Sequence, residues 1–509
     1  MGVTSDAVTL DRVSRIIGYK LTTGNFATTT PNLPQRIAIL AEANEDNQTD
    51  LDTDPYQIIT ATDAGKKYGY GSPIHMIARI LLPKYGGGVA GIPVWVYPQA
   101  KASGSTTKKI EITPSGVATG NGTHYVIIAG RDGIDGDYYA FNVNEGDTTA
   151  DITAKISDCV NAVLVCPMTA DNTDYVASLE SKWAGLTAED ITVRVDVGNN
   201  DLGIEYTVDN AIQAGSGTPS ISAALAAFQN NWNTIVVNSY GTPSTIMSTL
   251  ENFNGIPDPS TPTGRFQGLV MKPFVAITGT TVEDPSSITD TRKLNVTIAL
   301  APAPLSEGLP LEAAANMTVL QANVAQNTPH LDVEGKSYPD MPTPDSIGLM
   351  SDYNYRDAFV KKGCSTVDLV AGKYVVQDFV TTYHPDGETP PQFRYVRNLY
   401  NVDMNVRYGY YLLEQLNVVD HVIANDPDQV SATKVIKPKQ WKQILKGYAL
   451  DLADRAIIVD PTFLVTSLTV NIGTTNPDRL ETFFRYKRSG VVRIASTTAE
   501  AGFNFGVLN

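Results

Sequence analysis

Residues 36–99 carry an apolar strand, a helix and a second apolar strand in that order, which is the repeating unit of a parallel α/β sheet. "RIAIL" at 36–40 is rich in β-formers and follows the breaker "PNLP". Ser72 suits an N-cap and Pro73 the first helical turn, and Ile74, Ile77, Ile80 and Leu81 then recur at helical spacing. "GIPVWVYPQ" at 91–99 supplies the second strand, while "DAGKKYGYG" ahead of Ser72 reads as a loop.

From about Ser103 the texture changes. "GTHYVIIAG", "DYYAFNV", "DITVRVDVG" and "LGIEYTV" read as strands, with one helix near 150–163, until the loose stretch "QAGSGTPS". Residues 104–220 hold 17 acidic against 6 basic residues, a local balance of −11 within a chain of net charge −16. Such a block is a solvated outer surface. The helix "SAALAAFQ" and the strands "NTIVVNSYG", "GLVMKPFVAITG" and "KLNVTIALAP" then restore the α/β pattern. A chain of 509 residues exceeds one compact core. The expected fold class is therefore α/β (α+β when the whole chain is counted), multidomain, with a discontinuous α/β domain at 25–103 and 221–350 interrupted by a mostly-β insertion at 104–220. An extended arm at 1–24 precedes it.

Residues 351–489 form an α+β domain of their own. "STVDLVAGKYVVQDFVTTY" reads as a hairpin turning at Ala371 and Gly372. A helix over 396–416 puts Leu399, Val402, Val406 and Leu413 on one stripe, and a helix over 439–454 stacks Trp441, Ile444, Leu445, Tyr448 and Leu452. "FLVTSLTVNIG" and "LETFFRYK" pair about "TTNPD", with Leu480, Thr482, Phe484 and Tyr486 alternating against Glu481, Phe483, Arg485 and Lys487 along 480–487. After Gly490 a short strand at 491–495 is left, followed by a small polar tail. It cannot form a core alone; on the residues themselves it either completes a local three-stranded meander or joins another chain's sheet.

Charge and motifs exclude much chemistry. The acidic balance argues against binding nucleic acid through phosphates, and no apolar run reaches the length of a membrane span. "MGVTSDAVTL" lacks the pattern of a signal peptide, and Asp6 breaks the myristoylation pattern, so synthesis and folding in a cytoplasm are expected. Cys159, Cys166 and Cys364 are too few for a disulfide framework or a zinc site, with a Cys159–Cys166 bridge left open. The five histidines are dispersed, no GxSxG or Walker loop is present, and "KYGGGVAG" follows a helix rather than a strand. We expect no catalytic residues, no metal and no cofactor. Two basic stretches stand out in an acidic molecule: Lys434, Lys437, Lys439, Lys442 and Lys446, read as a solvated face or a dock for an acidic protein, and Arg479, Arg485, Lys487, Arg488 and Arg493 near the end.

"DRVSRIIGYKL", "PNLPQRIAILAEAN", "YGYGSPIHMIARILLP" followed by "GIPVWVYP", "GKYVVQDFVTTYH" and "NPDRLETFFRYKRSGVVRIASTTAEAGFNFG", in this order, resemble the contractile tail sheath proteins of Mu-like myophages. These are kin to the sheaths of contractile bacteriocins and type VI secretion. The resemblance skips 104–220, where such sheaths vary. It implies a non-enzymatic virion component, assembled in the host cytoplasm as stacked hexameric rings around a tail tube, that shortens to drive the tube through a cell envelope. It further implies partners in other copies of the chain, the tube protein, and the baseplate and tail terminator proteins, without direct nucleic-acid contact or membrane insertion. Under this resemblance the N-terminal arm (Val8, Leu10, Val13, Ile16, Ile17) and a C-terminal arm at 490–509 (Val491, Val492, Arg493, Ile494, Ala495) donate strands to a neighbour's hairpin, here that of Leu480, Thr482, Phe484 and Tyr486. The 351–489 domain faces the tube, with Lys439, Lys442 and Lys446 as contacts, and nothing after Ser489 belongs to the subunit's own core. The other expectation is a different virion or surface assembly protein, adhesin-like, with the acidic insertion as its working part.

Overall fold

Ile37–Glu42 forms the middle of a six-stranded sheet in the computed structural model, which describes residues 31–89, 91–173, 175–388 and 391–501. The strand order is Ile298–Pro302, Val275–Thr280, Ile235–Asn238, Ile37–Glu42, Val94–Gln99 and Tyr56–Ile58, and only the last, an edge strand, runs antiparallel to its neighbour. Both faces are covered, which is why "IAILA" reads as a continuous apolar run. Ile37, Ile39 and Ala41 pack with Ile74, Ile77 and Met317 on one face. Ala38 and Leu40 pack with Leu225, Met247 and Leu250 on the other. Ser72 caps the Pro73–Leu81 helix as its sequence indicates, its Oγ accepting the His75 N–H at 3.1 Å.

Several elements differ from the sequence-based expectation. The supposed loop before Ser72 contains a helix, Ala61–Tyr68, capped by Thr60. Its buried face comprises only Ala64, Gly65 and Tyr68, too sparse an apolar period to detect. The 18-residue helix Pro310–Asn327 escapes a pattern search for the opposite reason: it is buried nearly all round and shows no stripe. It lies so close to the sheet that a Cβ on Gly279 would fall 1.7 Å from the Pro310 carbonyl oxygen.

Residues 104–220 fold into a four-stranded antiparallel sheet, a three-stranded one and the helix Thr149–Ala162. Their apolar interior is continuous with the face of the parallel sheet that carries Ile39, and Asn32–Asn509 is one compact unit. A buried charge network adds to the junction. Glu312, fully buried at the start of its helix, accepts from Arg79 at 3.3 Å and from Arg131 at 3.1 Å, and Arg131 reaches Asp340 at 2.7 Å. Burial acts to raise the Asp340 carboxyl, but Arg131 and Arg79 hold it below its ordinary value. Glu42 ends the middle strand where connections depart toward opposite sides of the sheet, the usual ligand crevice of such folds. Here Gly185 closes it: a Cβ there would stand 2.8 Å from a Glu42 carboxyl oxygen. Among the described residues neither oxygen of Glu42 has a hydrogen bond of good geometry. Burial, then the nearby charge of Glu45, pushes its pKa up to about 8, opposed by the Thr187 hydroxyl close by.

Toward the C-terminus, Thr366–Val370 and Lys373–Asp378 form the expected hairpin, with positive φ at Ala371 (49°) and Gly372 (70°), as a tight two-residue turn requires. The helix expected over 396–416 begins as a widened π-helical stretch, Arg397–Asp403, before the regular Met404–Asn417. The run "FLVTS" is not strand: Asp460 caps a short helix, Pro461–Ser467, which removes half of the expected first hairpin arm. Cys159, Cys166 and Cys364 are free thiols.

Candidate assembly interface

Thr469–Ile472 and Leu480–Phe483 pair antiparallel as a ribbon of two strands, so each has one outer edge with no ladder partner among the described residues. The expected eight-residue strand is broken. Its ladder stops at Phe483, and Lys487–Arg488 pairs instead with Ile458–Val459. The alternation nevertheless holds: Leu480, Thr482, Phe484 and Tyr486 are half-buried while Glu481, Phe483, Arg485 and Lys487 are exposed. The inward set packs on its own subunit. Trp441 Nε1 donates to Thr482 Oγ1 at 3.1 Å, Phe484 lies 5.8 Å from the Tyr410 ring, and the Tyr486 hydroxyl donates to Asp403 at 2.8 Å. What the ribbon offers to another chain is its backbone edge and exposed face.

Asp403 also accepts from Arg488 Nε at 2.7 Å. Burial raises the Asp403 carboxyl, an effect opposed by Arg488. Six residues earlier in the same π-helical stretch, buried Arg397 donates to the Ser489 carbonyl and hydroxyl, both at 2.6 Å, and to the His330 carbonyl at 2.8 Å. Wide helical turns of this kind are frequent at functional sites; this one aims two charged side chains at consecutive residues of the departing chain. Among the basic residues near the end, Lys487 is paired with the distant Asp460 at 2.6 Å and Arg479 with Glu481, two residues on, at 3.0 Å.

Residues 491–495 form no strand, and the local meander is absent. The segment has no regular secondary structure, and Val492 and Ile494 are each 84% exposed. Contrary to expectation, it still touches its own subunit: Arg493 pairs with Asp332 and Glu334 and stacks 3.5 Å from the Tyr395 ring centre. The N-terminal positions Val8, Leu10, Val13, Ile16 and Ile17 lie outside the described residues.

The lysine run is divided. Lys434 pairs with Asp420, and Lys437 donates to the Asp428 carbonyl. Lys439, Lys442 and Lys446 form a row on the Pro438–Asp454 helix and make no ion pair among the described residues. Leu450, 61% exposed, extends that row.

No protein-family profile matches the chain. Over 154 residues it is 24% identical to the Mu-like prophage FluMu tail sheath protein of Haemophilus influenzae, an alignment spanning 29% of this chain and 30% of that protein. The alignment is thus confined to under a third of either protein. Among solved structures, the sheath tail protein of Desulfitobacterium hafniense is similar at a TM-score of 0.44 and 12% identity, over 93% of this chain and 100% of that one.

Proposed function

We propose that this chain is the structural subunit of a contractile tail sheath, polymerising as stacked hexameric rings around a tail tube. One observation carries the reading. A single subunit combines a two-stranded ribbon whose outer edges have no ladder partner among the described residues with a C-terminal segment that joins no strand among them, exposing Val492 and Ile494. Donor and acceptor in one chain are what a head-to-tail polymer requires. The local identity to a protein described as a tail sheath supports the same reading.

In this reading, 491–495 and the N-terminal arm add strands to a neighbour's 469–483 ribbon. Five or six added backbone hydrogen bonds are worth about 0.5–1.5 kcal/mol each. Ordering the same residues costs about 1–2 kcal/mol apiece, so one arm alone is near break-even. Two arms per subunit within a ring make later pairings effectively intramolecular, and growth then waits for a baseplate template. Lys439, Lys442 and Lys446 face the tube, and the 104–220 block decorates the outside. Contraction drives the tube through the target envelope.

Electron microscopy of negatively stained purified protein tests this directly: hollow striated cylinders are expected. Discrete oligomers would favour the adhesin-like alternative, in which the acidic 104–220 block is the working part.

A further inference from the structure

From its last ladder residue, Arg488, onward the chain passes three fixed points. Arg488 is held by Asp403, Ser489 by Arg397, and Arg493 by a separate group. We propose that Asp332, Glu334 and Tyr395 form a guanidinium-binding site, filled by Arg493 of the same chain, which fixes where the C-terminal segment leaves the subunit.

The site has the features that distinguish guanidinium recognition from a surface ion pair. Asp332 and Glu334 flank a bend at Val333 that leads into a turn at Glu334 and Gly335, and both carboxylates meet at Arg493. Arg493 Nη2 donates to Asp332 and Nε to Glu334, an arrangement that uses two edges of the planar fork. The face of the fork rests on Tyr395 at 3.5 Å. The side chains of Asp332, Arg493 and Glu334 are only 3%, 16% and 20% exposed, so the pair is shielded from solvent. Asp332 is itself oriented by the Val333 N–H at 2.7 Å. Exposed pairs contribute little, whereas removing one partner of a buried pair leaves an uncompensated charge.

With Arg493 turned inward, Val492 and Ile494 on either side face outward, as their exposure shows. Where the sheath reading holds, on which this sentence rests, the stretch free to reach a second copy starts at Ile494 rather than Val491, and its root is already ordered before pairing. Preordering of that kind lowers the entropy lost on association.

The test uses the full chain before assembly, with a nitroxide label on Ala495→Cys in a Cys159→Ala background, Cys166 and Cys364 being buried. With Arg493 present the label should show restricted motion. Arg493→Ala should give the sharp spectrum of a free tail, and Glu334→Gln a partial release, which also serves if the first variant does not fold. Millimolar ethylguanidinium should then raise the melting temperature of Arg493→Ala by about 1 °C without restoring the restricted spectrum, because the site is refilled but the tether is not. The same addition should leave the unsubstituted chain and an Asp332→Asn/Glu334→Gln/Arg493→Ala variant unshifted. A label already free in the unsubstituted chain, a label equally restricted in Arg493→Ala, or no ethylguanidinium shift overturns the site. Cylinders play no part in these readouts, so their absence from micrographs would remove the sheath reading alone.

Discussion

The parallel sheet around Ile37–Glu42 and the ribbon at 469–483 solve opposite problems. The sheet leaves little backbone to offer. Its faces are covered by helices, one edge strand is bridged through Ala299 to Thr381, and the other is the three-residue strand Tyr56–Ile58. The ribbon has one covered face, two open edges and exposed Phe483, with the exposed Val492 and Ile494 nearby in sequence. Open edges are normally suppressed because they recruit other chains. On the proposed reading the two regions divide the labour: one stabilises the subunit, and the other is completed by a neighbour.

Substitutions in the two regions should therefore have opposite signatures, and the largest effect belongs to the sheet. Gly279→Ala places a Cβ 1.7 Å from the Pro310 carbonyl oxygen. We expect a loss of about 3 kcal/mol or more, read as insoluble protein or a collapsed urea midpoint. A nearly unchanged midpoint would mean that the sheet is not the rigid partner. Next, Glu312→Ala leaves Arg79 and Arg131 with Asp340 as their shared acid, and should cost about 3–5 kcal/mol by denaturant titration. A loss under 1 kcal/mol would show that the 104–220 block is not bolted to the sheet through this network.

Glu42 gives a pH test of the same region. Its folded pKa is raised, so its contribution to stability is complete below the ordinary carboxyl range and is lost as pH rises toward about 8. Glu42→Gln should therefore stabilise the subunit at pH 8 by about 4 kcal/mol and leave it nearly unchanged near pH 4.5. Equal midpoints at both pH values would contradict a buried, unpartnered carboxyl.

The ribbon side should barely register in the isolated subunit. Val492→Ser with Ile494→Ser should change subunit stability by less than about 0.5 kcal/mol and abolish long cylinders in micrographs. Persistence of cylinders would sink strand donation by this segment. Smallest of all, Lys439→Glu, Lys442→Glu and Lys446→Glu together should leave both stability and cylinders intact while reducing co-sedimentation of the tube at low salt. Unchanged co-sedimentation would return these lysines to the status of a solvated face.

Local chemistry made much of this protein readable from its residues. The apolar runs at 36–40 and 94–97, the Ser72 cap, the Ala371 and Gly372 turn and the inward set Leu480, Thr482, Phe484 and Tyr486 depend on neighbours a few positions away, so their pattern survives in one dimension. The helices Ala61–Tyr68 and Pro310–Asn327 were hidden because one buries too little to show a stripe and the other too much. The destinations of the basic residues near the end were hidden for a different reason. Lys487 meets Asp460 across 27 positions and Arg493 meets Asp332 across 161, and charge composition carries no record of such pairings. The sequence by itself determined that 491–495 is too short to have a core of its own. Only the tertiary structure decided which face turns inward, because that choice lies with Asp332, Glu334 and Tyr395, which the fold brings to Arg493 from two other parts of the chain.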